Sequence, residues 1–225
     1  MLVADLARRV RAQAGDNAVL QFSNTTLVDW INDGVRLCVE ENSLLQAKAN
    51  TVTVADQADY VMPTDVFKLH SVWLDSYKIE ILTLQEFEER NATEPGITTS
   101  PGPSFLGYQY AGVLTLWPTP DTEYPLVINY TKMPAAITYA GPPDVWDPVS
   151  LPIPEAFHSR VVTYCLAQVA FQDDDVEKYQ ALMAEFTTGV RDLKHTKDQQ
   201  EDLYPSISVS SRDMGENWFD DHFIP

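Results

Sequence analysis

Twelve of the 15 prolines fall between Pro95 and Pro154, a stretch that also holds five of the nine glycines. Proline brings no backbone donor and tolerates neither helix interiors nor central strands, so this stretch reads as short strands separated by loops. On either side of it the apolar residues return to a spacing of three and four. That contrast divides the 225 residues into a helical part, a β part and a second helical part. The predicted fold class is α+β: a helical bundle body with an inserted β-rich domain and an extended C-terminal tail. The expected boundaries are 1–50 for the N-terminal helices, 51–150 for the proline-rich β insertion, 151–200 for a C-terminal helical hairpin and 201–225 for the tail.

The first helical piece runs from Leu2 to about Gln13, with Leu2, Leu6 and Val10 on one face, and Gly15 is placed to end it. Ser23, Asn24 and Thr25 can each cap the next helix. Leu27, Trp30, Ile31, Gly34, Leu37, Cys38, Glu41, Leu44 and Leu45 then follow in steps of three and four. One stripe along roughly two dozen residues needs a partner surface. After Pro154, a face of Phe157, Val161, Tyr164, Cys165 and Val169 marks one helix. Past Asp173-Asp174-Asp175, Val176, Tyr179, Leu182, Met183, Phe186, Val190 and Leu193 mark another that reaches towards Lys197. Two helices joined so tightly form an antiparallel hairpin. Trp30, Ile31, Leu37 and Phe186 are the expected core of the helical body.

Between these parts the pattern is β. Thr51–Val54 and Tyr60–Met62, separated by the polar turn Asp56-Gln57-Ala58-Asp59, suggest a hairpin, and Pro63 ends its second strand. Phe67–Leu74 and Lys78–Leu82 suggest two strands around Asp75-Ser76. Thr83 and Glu86 have capping-box spacing for a short helix to about Arg90. Ser104–Gln109, Val113–Trp117 and Leu126–Met133 are the remaining strand candidates, the first two joined at Tyr110-Ala111-Gly112. The segment from Pro134 to Ser150 reads as irregular and surface-exposed.

Charge and motif content exclude several functions. The formal net charge is −18, from 33 acidic and 15 basic residues, and the closest cationic group is only Arg8, Arg9 and Arg11. Nucleic acids and anionic membranes are bound by clustered Lys and Arg, which this chain lacks. Arg8 and Arg11 share a helical side that suits either solvent or an acidic partner protein. His70, His158, His195 and His222 are scattered without metal-ligand spacing, and the three aspartates lack the glycine and terminal glutamate of a calcium loop. They read as the cap of the following helix. Cys38 and Cys165 sit among apolar residues as small hydrophobes. No nucleophile elbow, phosphate loop or dinucleotide fingerprint is present, so no catalytic site, metal or cofactor is expected. No secretory signal or span of about 20 apolar residues is visible, and the chain is expected to fold in the cytoplasm.

Four runs in a fixed order carry a likeness to known proteins. They are Thr26-Leu27-Val28-Asp29-Trp30-Ile31-Asn32-Asp33-Gly34, Tyr60-Val61-Met62-Pro63-Thr64-Asp65-Val66, Leu114-Thr115-Leu116-Trp117-Pro118-Thr119-Pro120 with Tyr130 ending the next strand, and Leu151-Pro152-Ile153-Pro154 opening an apolar helix. In these the chain resembles the head-to-tail adaptor, or connector, proteins of tailed bacteriophages; Met62 stands where leucine is usual. The resemblance implies a structural virion protein at the head–tail junction, made in the host cytoplasm. It implies a homo-oligomeric ring, twelve copies by likeness, beneath the portal protein and above tail or nozzle proteins, with DNA only passing through. It assigns no catalytic residue.

The last segment, Leu203–Pro225, has no helical or alternating pattern along its length but keeps Tyr204, Ile207, Val209, Trp218, Phe219, Phe223 and Ile224. These are the expected contacts to the portal or a neighbouring subunit. A different class of function, a monomeric ligand-binding module using Trp73, Trp117 and Trp146 of the β insertion, is separated from the first by measuring mass.

Overall fold

The computed structural model describes residues 1–16, 21–93, 100–139, 141 and 149–202. The first elements in chain order are α1 (Val3–Ala14), α2 (Asn24–Asn42), β1 (Gln46–Val52), β2 (Asp59–Val61), β3 (Val66–Leu74) and β4 (Tyr77–Leu82). Next come α3 (Leu84–Thr93), β5 (Leu106–Tyr110), β6 (Val113–Trp117) and β7 (Pro125–Lys132). A short 3-10 turn at Glu155–Phe157 then leads into α4 (His158–Gln172) and α5 (Val176–Asp202). The fold of the described residues is α+β, with five α-helices and a curled seven-stranded sheet.

Four of the helices, α1, α2, α4 and α5, share one core. Leu6, Val10, Leu27, Ile31 and Val35 from α1 and α2 meet Val161, Cys165 and Phe186 from α4 and α5. Local signals set the ends of α1 and α2. Gly15, in the left-handed region at φ 79°, closes α1 by donating to the Arg11 carbonyl, a conformation that costs glycine little. Ser23 caps α2, its hydroxyl accepting the Thr26 N–H at 3.0 Å. At the other end Ser43 turns left-handed and donates to Val39, so α2 stops at Asn42. Leu44 and Leu45, expected as the end of the helical stripe, lie beyond it. Gly34 lets α2 approach α4 closely: a Cβ there would stand 3.0 Å from Tyr164 Cδ1 and 3.3 Å from Val161 Cγ1.

α4 and α5 pack together, with the rings of Tyr164 and Phe186 at 5.3 Å. Asp175 caps α5, its carboxylate accepting the Lys178 N–H at 3.1 Å. The described part of the 134–150 segment has no helix or strand at residues 134–139, yet it is tied down. Ile137 inserts into the helical core, and its backbone is bonded to Asn32.

The strand order is β1-β7-β3-β4-β5-β6-β2. All neighbours are antiparallel except β4 and β5, which are parallel and joined through α3. Thr83 and Glu86 form the reciprocal box at the start of α3: Glu86 N–H donates to Thr83 Oγ1, while the Glu86 carboxylate accepts the Thr83 N–H. Left-handed residues make the tight turns, Asp75 between β3 and β4 and Ala111-Gly112 between β5 and β6.

The hairpin expected from Thr51–Val54 and Tyr60–Met62 does not form. β1 pairs with β7 and β2 with β6, at opposite ends of the strand order. The connection between them is held by other partners: Thr53 N–H donates to Tyr124 O, and Asp56 N–H, left-handed at φ 62°, donates to Pro120 O. Seven flat strands would place the two edges about 29 Å apart, at about 4.8 Å per spacing. Residues 53–58 reach about 25 Å at most when fully extended. The sheet is therefore curled, and its concave side holds a second core of Leu74, Ile79, Leu114, Leu116, Leu126 and Ile128. Asp65 fastens its rim, accepting the Tyr130 hydroxyl at 3.2 Å and, through its carbonyl, the Met133 N–H at 2.7 Å. The strand β1 begins at Gln46, so the β part starts before residue 51.

Candidate assembly surfaces

The polar groups inside the fold serve architecture. Arg11, expected on an exposed side with Arg8, is instead buried, because α1 turns it under the loop that leads to α2. Its guanidinium pairs with Asp16, donates to Phe22 O at 3.0 Å and Asn24 Oδ1 at 2.7 Å, and lies 4.5 Å from the centre of the Phe22 ring. Burial lowers its pKa, an effect opposed by Asp16. Arg8 remains exposed and bonds Asp5 at 2.6 Å. Loss of hydration pushes the Cys38 thiol up to about 12, and it pushes Cys165 higher still, helped by Asp33. Both are fully buried free thiols. Among the described residues no group of three or more His, Cys, Asp and Glu is placed to hold a metal. No described helix is long and apolar enough to cross a membrane.

The four residues assigned to the helical core have different surroundings. Ile31 and Phe186 are buried, and Trp30 is half-buried, with its ring 5.3 Å from that of Phe22. Leu37 lies at the surface, 36% exposed. At 100° per residue it stands roughly 120° around the helix from Ile31, outside the buried sector. The tail residues Tyr204, Ile207, Val209, Trp218, Phe219, Phe223 and Ile224 lie outside the described residues, as does Trp146. Trp117 packs against Phe87 of α3, which also meets Tyr108, whereas the Trp73 indole donates to Ser71 on its own strand.

What faces outward is two open sheet edges and scattered apolar side chains. β1 pairs on one side only, as does β2. Val61 on β2 is 84% exposed, and Val52 and Val54 beside the same seam are about half exposed. A cleft of about 360 Å³ lies between Ala49 and Thr51 of β1 and Tyr60 and Val61 of β2, with Met62 and Ile128 also lining it. At the α4–α5 turn, Phe171 and Val176 are exposed next to the three aspartates, and Phe171 stacks on Tyr179 at 5.3 Å. Unpaired strand edges and exposed large apolar groups are features of surfaces that meet other chains. The open edges have no signal in a single sequence, because a strand's pattern does not say how many sides are paired. The roles of Asn32 and Asp65 were carried by the Trp-Ile-Asn and Pro-x-Asp runs, whose partners, Ile137 and Tyr130, lie far along the chain.

No curated protein matches the chain. The family model described as SU10 adaptor protein matches residues 1–210, which takes in both cores and every described element. That match and the four ordered runs point to a phage structural adaptor, and the chain belongs to the SU10 adaptor protein family.

Proposed function

We propose that the chain is a head-to-tail adaptor that forms a ring beneath the phage portal, joins the capsid to the tail, and leaves a passage for DNA. The observation that carries this reading is the family match over residues 1–210. The exposed edges and valines of the sheet support it, since they suit a chain that works in contact with others. In this reading the helices of 1–50 and 151–200 form the ring body, the β part of 51–150 projects from it, and the 201–225 tail reaches a neighbouring subunit or the portal. Tyr204, Ile207, Val209, Trp218, Phe219, Phe223 and Ile224 are its contacts, with the large aromatic groups as main anchors. Twelve copies follow from likeness to connector proteins. The charge of −18 per chain suits a passage wall with few phosphate contacts, since each contact adds salt-dependent affinity for DNA. Cryo-electron microscopy of the particle containing this chain is the test. Density for the fold in a closed ring between portal and tail is the expected result; its appearance elsewhere, or as isolated copies, refutes the proposal.

A further inference from the structure

We propose that the seam between β1 and β2 accepts, as an added strand, residues Ser206–Ser211 of a second copy of this chain. The inference rests on the adaptor reading for its setting and on the geometry of the sheet for its content.

The seam offers backbone groups on both lips. Lys132 N–H donates to Leu45 O and Thr53 N–H to Tyr124 O, so the odd-numbered residues of β1 face β7. The N–H and C=O groups of Gln46, Lys48, Asn50 and Val52 therefore point to the unpaired side. On the other lip, Leu116 N–H donates to Ala58 O and Met62 N–H to Gly112 O, which turns the backbone of Asp59 and Val61 outward; the Asp59 carbonyl accepts the Gln57 side-chain amide at 2.7 Å, an exposed bond that an added strand would replace. Between the lips is the cleft of about 360 Å³, lined in part by the exposed Val61, while Val52 and Val54 are exposed at the end of β1 and just past it. An extended peptide at such an edge gains main-chain hydrogen bonds and places alternate side chains on the apolar lip.

The chain contains a segment of matching length and chemistry. Ser206-Ile207-Ser208-Val209-Ser210-Ser211 has no charge and no proline, and it alternates apolar with polar residues over too short a run to mark the rest of the tail. It is six residues long against seven in β1. Lysine on an edge strand ordinarily discourages pairing. Lys48, the one charge in β1, suits a strand whose flanks are acidic on balance: Glu201, Asp202, Asp213 and Glu216 flank this one, against the single Arg212 next to its end.

α5 continues past its packed part before the segment begins. Leu193 is the last α5 residue packed against the helical core. The nine that follow, Lys194–Asp202, include no apolar residue, and the helix carries the chain about 13 Å further at 1.5 Å per residue. The segment begins four residues later in the sequence.

A fluorescein-labelled peptide of residues 201–214, titrated into the full-length protein and followed by anisotropy, tests the site. Saturable binding is expected. It should weaken roughly tenfold in Lys48→Pro, which removes an outward edge donor, and in Val61→Asp, while Phe171→Ala binds like wild type. Should Lys48→Pro fail to fold, Val61→Asp decides, because that side chain is 84% exposed. Absence of saturable binding, or equal binding by all variants, overturns the proposal. Oxidation of Asn50→Cys/Ser208→Cys should give products that link separate chains; a disulfide confined to one chain overturns the assignment to a second copy. Failure at this site with a ring present in the particle leaves the adaptor reading standing. Success here with isolated copies in the particle sinks the ring alone.

Discussion

Asn32 on α2 grips the backbone of Ile137 with both ends of its amide: Nδ2 donates to the Ile137 carbonyl at 2.8 Å, and Oδ1 accepts the Ile137 N–H at 2.9 Å. A helix side chain thereby does for residue 137 what a neighbouring strand does elsewhere, and Ile137 is held in the helical core. Replacing Asn32 with Ala leaves two partly buried backbone groups without partners. The expected cost is about 1–3 kcal/mol, measured by urea denaturation. Asn32→Asp keeps the acceptor and loses the donor, and should fall between Ala and wild type. An unchanged midpoint in both variants refutes the role given to Asn32.

The helical core should respond to truncation according to burial. Phe186→Ala opens a cavity under Tyr164 and is expected to cost about 3–5 kcal/mol. Trp30 is only half-buried, so Trp30→Ala should cost roughly half as much. Leu37→Ala should stay within about 0.5 kcal/mol. Reversal of that order in denaturant melts would contradict the packing described.

The two thiols should be inert in the folded protein. A thiol reagent at pH 8 is expected to modify neither Cys38 nor Cys165 until denaturant is added. The raised pKa of Cys38 also sets a direction for stability. Between its ordinary value of 9.0 and about 12, the unfolded chain releases a proton that the folded one keeps. Its stabilising contribution is complete below pH 9 and is lost as pH rises towards 12. Cys38→Ala should flatten that part of the stability profile; an unaltered alkaline slope would show that the thiol does not cause it.

Duplex DNA should bind weakly, if the acidic balance governs the passage wall. With 33 acidic and 15 basic residues, no saturable binding is expected at low salt. Tight binding that falls steeply with added salt is the contrary outcome.

The described residues of both cores lie between Met1 and Leu193. Deletion of 203–225 should therefore leave the melting temperature nearly unchanged and abolish assembly onto the portal. A deleted protein that unfolds while still assembling would assign the segment to its own domain.

Much of this fold was legible where a feature is made by neighbours in sequence. Thr83 and Glu86 are three apart and bond each other; Asp75 and Ala111-Gly112 make turns between adjacent strands. The β1–β2 hairpin was misread because β-prone runs on both sides of a polar turn do not reveal their partners, which lie in β7 and β6. Arg11 was placed outside because a guanidinium is ordinarily solvated, and only the contacts of Asp16, Asn24 and Phe22 make its burial tolerable. Ser43 ended α2 early through a backbone angle that serine seldom adopts. For the assembly surfaces, the unpaired edges required the strand order, which a strand's own pattern does not carry.

The close approach of Gly34 to Tyr164 joins residues 130 positions apart, and this sets an order of events during synthesis. Leu27, Ile31 and Val35 have no complete core until Val161 and Phe186 have left the ribosome. The sheet needs nothing beyond Lys132 to pair its strands and fill its concave side. During translation the β part can therefore close first, while α1 and α2 wait with their apolar faces uncovered for the last third of the chain. A nascent chain stalled near residue 150 would present those faces to chaperones, and release of α4 and α5 would withdraw them.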